Sequence, residues 1–257
     1  MSTLSLRRHS GGLGLSPRRR AVRGVAPPAI VQDGLVAEWR FDNGSGQTLT
    51  DYKGGRHGTL GATSGAAADD PTWTAQGLSF DGGDFVTLPT MPAIQAVDVV
   101  FHVGSAVSRV TSGRMLISHG NGSDVVGLGS TTGFLTNEII SIIQDSSDYG
   151  SNRRVGWTHP SDTIAAGWHL IQIDFRSGVP TWDIVLDGVS KANAIVGTPV
   201  AFISGPWWFG QHPTGASKFI GQMAHVVAYS SARSSAQVAQ NRAALTSILA
   251  ARGITLP

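Results

Sequence analysis

The stretch Trp168-His169-Leu170-Ile171-Gln172-Ile173-Asp174-Phe175 places Ile171, Ile173 and Phe175 on one side and Gln172 and Asp174 on the other. A period of two is the signature of a strand with one face in a core. It recurs in Leu35-Val36-Ala37-Glu38-Trp39-Arg40-Phe41, where Leu35, Ala37, Trp39 and Phe41 share a side. Turn chemistry punctuates such runs at Asp42-Asn43-Gly44, Asp81-Gly82-Gly83-Asp84 and Asp187-Gly188. Further strands are expected at 97–103, 114–118, 125–128, 138–144, 207–210 and 221–229. Residues 77–80 and 85–88, flanking the 81–84 turn, predict a hairpin, and residues 181–186 predict another with the strand from Val189 onward. About a dozen short strands with no fixed repeat argue for an all-β sandwich or jelly roll.

One segment breaks this period. Ser234-Ser235-Ala236-Gln237 reads as a capping start, and Val238, Leu245, Ile248 and Leu249 form a helical stripe running to about Ala251. Gly253 stands where a helix stop is expected.

Composition bounds the chemistry. The chain has 257 residues and no cysteine, so disulfides, thiolate catalysis and Cys-ligated zinc are excluded together. Only 14% of residues are charged and 33 are glycine, which fits a turn-rich β protein. No apolar run reaches the length of a membrane-spanning helix, and the N-terminus lacks the apolar core of an export signal. The Arg-rich start has the composition of a mitochondrial transit peptide, but Gly11, Gly12, Gly14 and Pro17 break the helix one needs.

The charge is divided along the chain. Residues 1–32 hold Arg7, Arg8, Arg18, Arg19, Arg20 and Arg23 and no acidic residue. Six of the 19 basic residues lie there, which leaves 13 against 17 acidic ones, a net −4, in residues 33–257. The sequence therefore predicts a basic, extended arm over 1–32 and one folded domain over 33–257, with Pro27-Pro28 as a stiff joint. The arginines are candidates for docking on an acidic partner surface. Without aromatic residues for base stacking, the arm suits protein better than nucleic acid.

Several of these stretches, in order, resemble the laminin-G-like, or concanavalin-like, jelly-roll family. They are 34–42 followed by Asp51-Tyr52-Lys53-Gly54-Gly55-Arg56-His57-Gly58-Thr59-Leu60, then Leu78-Ser79-Phe80-Asp81-Gly82, then Gly167-Trp168-His169-Leu170 with Val185-Leu186-Asp187-Gly188, and finally Phe209-Gly210, Phe219-Ile220-Gly221 and 227–234. The resemblance spans about residues 34–245 and implies a concanavalin-like jelly-roll β-sandwich that binds carbohydrate or protein, in some members with calcium. After the Phe-x-Gly segment the family usually carries an acidic pair, where this chain has Ala224 and His225.

The candidate sites follow. Trp39, Trp168 and Trp182 sit on alternating strands and are read as core. Trp207 and Trp208 are adjacent, so a strand turns them to opposite faces and exposes one. Trp73 and Trp157 lie among polar residues and are taken as the ligand-binding candidates. Glu38 and Glu138, the two glutamates, stand alone, without the paired carboxylates a glycosidase uses. The eight histidines show no metal-binding spacing, and no metal site or cofactor is expected. Asp42, Asn43, Asp51 and Asp81 could contribute oxygens to calcium, but turn chemistry is the preferred reading.

These readings together predict a non-catalytic structural or adhesive component of a bacteriophage particle, located in the capsid decoration or tail. The jelly roll would be the binding module, with a cell-surface glycan as one ligand. The arm would anchor it to other virion proteins in a homo-oligomer, without membrane association. An exported bacterial lectin and a glycoside hydrolase are the alternatives from other classes.

Overall fold

The computed structural model describes residues 28–108, 114–119, 124–128, 140–144, 153–157, 163–178, 181–191, 193–211 and 218–257. The sequence-assigned arginines of the arm and Glu138 lie outside these residues.

Two antiparallel sheets stack face to face. The first runs in the order β16 (Val189–Lys191), β15 (Thr181–Leu186), β14 (Gly167–Arg176), β7 (Ala96–Val103), β19 (Ile220–Tyr229), β5 (Leu78–Asp81) and β4 (Thr72–Trp73). In it, β1 (Leu35–Trp39) also pairs with β19. The second runs β17 (Asn193–Val196), β12 (Arg153–Trp157), β11 (Ile140–Gln144), β10 (Asp124–Leu128), β9 (Arg114–His119), β18 (Gly205–Phe209), β6 (Val86–Met91), β3 (Gly58–Leu60) and β2 (Thr48–Leu49). A small pair, β8 (Val107–Ser108) with β13 (Thr163–Ile164), stands apart. The fold is the expected jelly-roll sandwich with a C-terminal helix.

The alternating residues explain the stacking. Trp39, Phe41, Phe101, Trp182, Trp207 and Phe209 are fully buried in one cluster between the sheets. At the β15–β16 hairpin, Asp187 (φ +54°) and Gly188 (φ +81°) both take left-handed backbone, as a two-residue hairpin turn requires. The 81–84 segment behaves differently from its sequence signal. β5 pairs with β19 and β4, whereas β6 pairs with β18 and β3. The predicted hairpin is instead a corner between the two sheets. Alternation shows that Phe80 and Val86 face a core, and both do. It cannot show whether two such strands lie side by side or face to face.

The first sheet is covered on its other face too. Helix α1 (Ser235–Ala250) packs Leu245 and Leu249 against Ala96, Val100, Leu170, Val227 and Tyr229. Burying each leucine contributes roughly 1.5–3 kcal/mol. This second core explains why β7 reads Ala-Val-Asp-Val-Val-Phe, nearly apolar on both faces. Ser234 caps α1: its hydroxyl accepts from Gln237 N–H, and the Gln237 side chain accepts from Ser234 N–H. Gly253 (φ +69°) ends the following turn, with Gly253 N–H bonded to Ala250 O and Ile254 N–H to Leu249 O.

The lone charge in the middle of β7, Asp98, belongs to a buried network. Arg233 Nη1 donates to Asp98 Oδ2 at 2.6 Å and Nη2 to Asp174 Oδ2 at 2.9 Å. Asn241 of α1 donates to Asp98 Oδ2 at 2.8 Å and, through Oδ1, accepts from Val31 N–H at 2.8 Å. Ile30 and Val31 are buried beside it, and Tyr229 OH donates to Val31 O. The body therefore takes in residues just upstream of the boundary drawn from sequence at 32/33. Among the described residues no helix is long and apolar enough to cross a membrane.

Candidate functional site

Strand pairing draws one row across the outer face of the second sheet. Thr48 on β2 pairs with Thr59 on β3, Thr59 with Thr87 on β6, Thr87 with Trp208 on β18, and Trp208 with Ser118 on β9. Cross-strand partners point the same way. Their strand neighbours Leu49, Leu60, Val86, Leu88, Trp207 and Phe209 are buried between the sheets, so the row faces outward. Thr48 is exposed, and Thr59, Thr87 and Trp208 are partly exposed. At ~4.8 Å between strands, the distance from Thr48 to Trp208 is about 14 Å. Ser118 is buried at the far side of Trp208, where its hydroxyl donates to Gln211 O at 2.7 Å. Thr87 Oγ1 donates to Gly61 O at 3.0 Å, a bond that does not use its acceptor lone pairs. The arrangement offers an indole beside a ladder of threonine hydroxyls on a rigid sheet. Such a surface can stack on the apolar side of a sugar ring while hydroxyls exchange hydrogen bonds around it.

The expected exposure of one member of the Trp207–Trp208 pair holds, and Trp208 is the exposed one. Trp39 and Trp182 are core as read. Trp168 is only partly buried, on the helix-covered face, with its ring 5.2 Å from that of His102. The two ligand candidates chosen from sequence occupy other settings. Trp157 ends β12, is 5% exposed, and belongs to the core between the sheets, with Lys191 Nζ 4.3 Å above its ring. Its polar neighbours suggested a loop, but they alternate around a buried Val155 and Trp157. Trp73 pairs with Leu78 at the sheet edge, packs partly against the same core, and donates from Nε1 to Gly46 O at 2.8 Å. It is partly exposed at that edge.

The loop oxygens considered for calcium are engaged with the chain. Asp51 alone receives four backbone N–H groups, from Glu38 and Lys53 on Oδ1 and from Gly54 and Arg56 on Oδ2. Asp42 accepts from Tyr52 OH, Asn43 brackets Thr50, and Asp81 accepts from Gly83 N–H. Among the described residues, no three metal-ligating side chains gather.

Several other carboxylates among the described residues are similarly committed. Glu38 is buried, with Arg40 Nε at 2.9 Å and His225 Nε2 at 3.2 Å. Burial acts to raise its pKa, yet the contacts with His225 and Arg40 hold it at about 2. His225 is fully buried, which lowers its pKa even though the Glu38 contact acts to raise it. Asp174 is pushed up by burial despite Arg233. Asp187 receives Leu170 N–H at 2.9 Å and lies 2.8 Å from His169 Nδ1, whose other nitrogen meets Ala165 O. Asp84, buried beside Asp81, is pushed up to about 6.

The architecture is shared with solved structures. The receptor-binding domain of a botulinum neurotoxin mosaic serotype C/D superposes with a TM-score of 0.52 at 9% identity, over 80% of this chain and 49% of that one. The botulinum neurotoxin serotype D/C binding domain gives 0.50 at 8% identity, over 85% and 52%. Trypanosoma rangeli sialidase in complex with sialic acid gives 0.50 at 9% identity, over 84% and 33%. This chain thus spans about a third to a half of those proteins. At such identities the likeness is one of fold. No family model matches the sequence, and no curated protein matches it.

Proposed function

We propose that this chain is a non-catalytic carbohydrate-binding module that holds a saccharide on the outer face of its nine-stranded sheet. The observation that carries the reading is Trp208, partly exposed on an inner strand of that sheet and in register with Thr87, Thr59 and Thr48. Toxin receptor-binding domains and a sialidase complexed with sialic acid share this fold, which agrees with a glycan ligand. The non-catalytic part rests on the carboxylates. Glu38, Asp98, Asp174 and Asp187 are each held by a cation, a histidine or backbone N–H groups, which suits structural roles.

The finer reading places the module on a bacteriophage particle. Its support is in the sequence: six arginines and no acid over residues 1–32, joined to a mildly acidic body. In this reading the arm docks on other virion proteins and the sandwich faces outward.

Glycan-array binding by the intact protein tests the module. We expect retained binding with Trp73→Ala and loss with Trp208→Ala at unchanged thermal stability. Equal binding by wild type and Trp208→Ala contradicts it. Polysaccharide turnover that Glu38→Gln abolishes would establish the hydrolase instead. Deleting residues 2–27 keeps Ile30 and Val31 in place and tests the arm: the body should fold but fail to enter particles.

A further inference from the structure

His169 lies between two groups that accept hydrogen bonds. Its Nδ1 is 2.8 Å from Asp187 Oδ2, and its Nε2 is 2.9 Å from Ala165 O. A neutral imidazole has one N–H and answers one of them; both are answered only when both nitrogens carry protons. The geometry therefore calls for an imidazolium, buried against a carboxylate that also accepts Leu170 N–H at 2.9 Å. Burial acts to lower the pKa of His169, but Asp187 and Ala165 O outweigh it and the pKa is raised. Among the described residues, two other titratable groups face this contact. His102 on β7 has its own pKa lowered by burial and by His169, and the Arg242 guanidinium of α1 lies against Gly188.

The two acceptors belong to different parts of the fold. Asp187 is in the β15–β16 turn, which is also tied to β14 by Asp187 N–H donating to Leu170 O at 2.9 Å. Ala165 follows β13, which pairs with β8 apart from both sheets. Val107 and Ile164 of that pair are buried in the core between the sheets. The pair stands just beyond the point where β7 ends and β14 begins, at Val103 and Gly167. It is thus a lid on the core, and His169 joins this lid to the turn.

When the proton leaves, the stronger acceptor keeps the remaining N–H. Nδ1 stays with Asp187, and Nε2 turns a lone pair on Ala165 O. We infer that His169 is a pH-operated latch: as a cation it ties the β8–β13 lid to the β15–β16 turn, and on losing its proton it frees the lid at Ala165. With the folded pKa raised, the latch stabilises the fold fully below 6.5 and this contribution is lost as the pH rises through the folded value. Val107 and Ile164 still hold the lid on the core, so release is a local opening and not global unfolding.

The test is NMR of the intact protein, labelled with nitrogen-15 and carbon-13, across a pH titration. We expect both ring nitrogens of His169 to be protonated at pH 6 and its midpoint to lie above 6.5. The Ala166 amide, which shares a peptide group with the Ala165 carbonyl, should shift with the same midpoint. Amide exchange in the β8–β13 pair, corrected for intrinsic base catalysis, should rise about tenfold across it, as expected for one lost hydrogen bond to a charged group. Asp187→Asn keeps an acceptor for Leu170 N–H and tolerates left-handed backbone, but it removes the charge and should move the midpoint down. His169→Gln should remove the pH dependence of lid exchange, and Asp187→Asn carries the test if that variant fails to fold. A neutral ring at pH 6, a lid that does not respond at the His169 midpoint, or a midpoint unmoved by Asp187→Asn overturns the inference.

Discussion

Replacing Arg233 by Met removes the centre of the network beneath α1. The guanidinium is 1% exposed, reaches Asp98 and Asp174 within 3 Å, and lies 4.7 Å from the Tyr229 ring. The backbone bonds at this residue, Arg233 N–H to Asp174 Oδ1 and Arg176 Nη1 to Arg233 O, do not need the side chain. The loss is therefore two carboxylates buried without their cation, which costs about 3–5 kcal/mol. With a urea slope of about 1–3 kcal/mol/M, the unfolding midpoint should fall by roughly 1–5 M at pH 7. The pH response follows from Asp174, whose pKa burial already raises even with Arg233 present. A carboxyl with a folded pKa above its unfolded one favours the folded state when protonated. The deficit of the variant should therefore shrink as the pH falls from 7 toward that raised value. Adding Asp98→Asn and Asp174→Asn should restore most of the stability. Urea unfolding followed by tryptophan fluorescence at pH 7 and pH 5 reads all three. A deficit below about 1 kcal/mol at pH 7, or one that grows at pH 5, refutes the reasoning.

Other consequences are smaller. Asp84, raised by burial to about 6, makes the fold less stable as the pH rises from its unfolded value of 3.8 through 6. Asp84→Asn should abolish that slope and raise stability at pH 7 by about 1 kcal/mol after allowance for screening, seen as a higher melting temperature. Glu38 has the opposite sign: its stability is present above 4.5 and is lost as the pH falls toward about 2, so Glu38→Gln should flatten acid unfolding in that window. Ser234→Ala removes the α1 cap and should cost about 1 kcal/mol in chemical denaturation.

Local signals in the sequence located what local chemistry controls. The Asp187-Gly188 turn, the Ser234 cap and the Gly253 stop all stand where their residues predict them, because each depends on a few neighbouring positions. Alternation likewise separated Trp207 from Trp208. What stayed hidden depends on distant partners. Asp81-Gly82-Gly83-Asp84 carries hairpin chemistry, yet β19 and β18, more than 100 residues later, claim its two strands for different sheets. Trp157 looked solvent-facing because the residues that cover it come from the opposing sheet. Nothing in the sequence near Asn241 and Arg233 marks them, and only the meeting of α1 with β7 and β14 makes them a buried pin. The candidate face itself is a register property: Thr48, Thr59, Thr87 and Trp208 are scattered over 160 residues and align only through strand pairing.

The central claim is that Trp208 meets a saccharide that the protein leaves intact. The most direct measurement follows the seven indole N–H resonances while a glycan selected on an array is added. The account predicts that the Trp208 signal shifts with saturation while those of buried Trp39, Trp182 and Trp207 stay fixed, and that the glycan is recovered uncut. A stationary Trp208 signal at saturation, or a cleaved glycan, would contradict it.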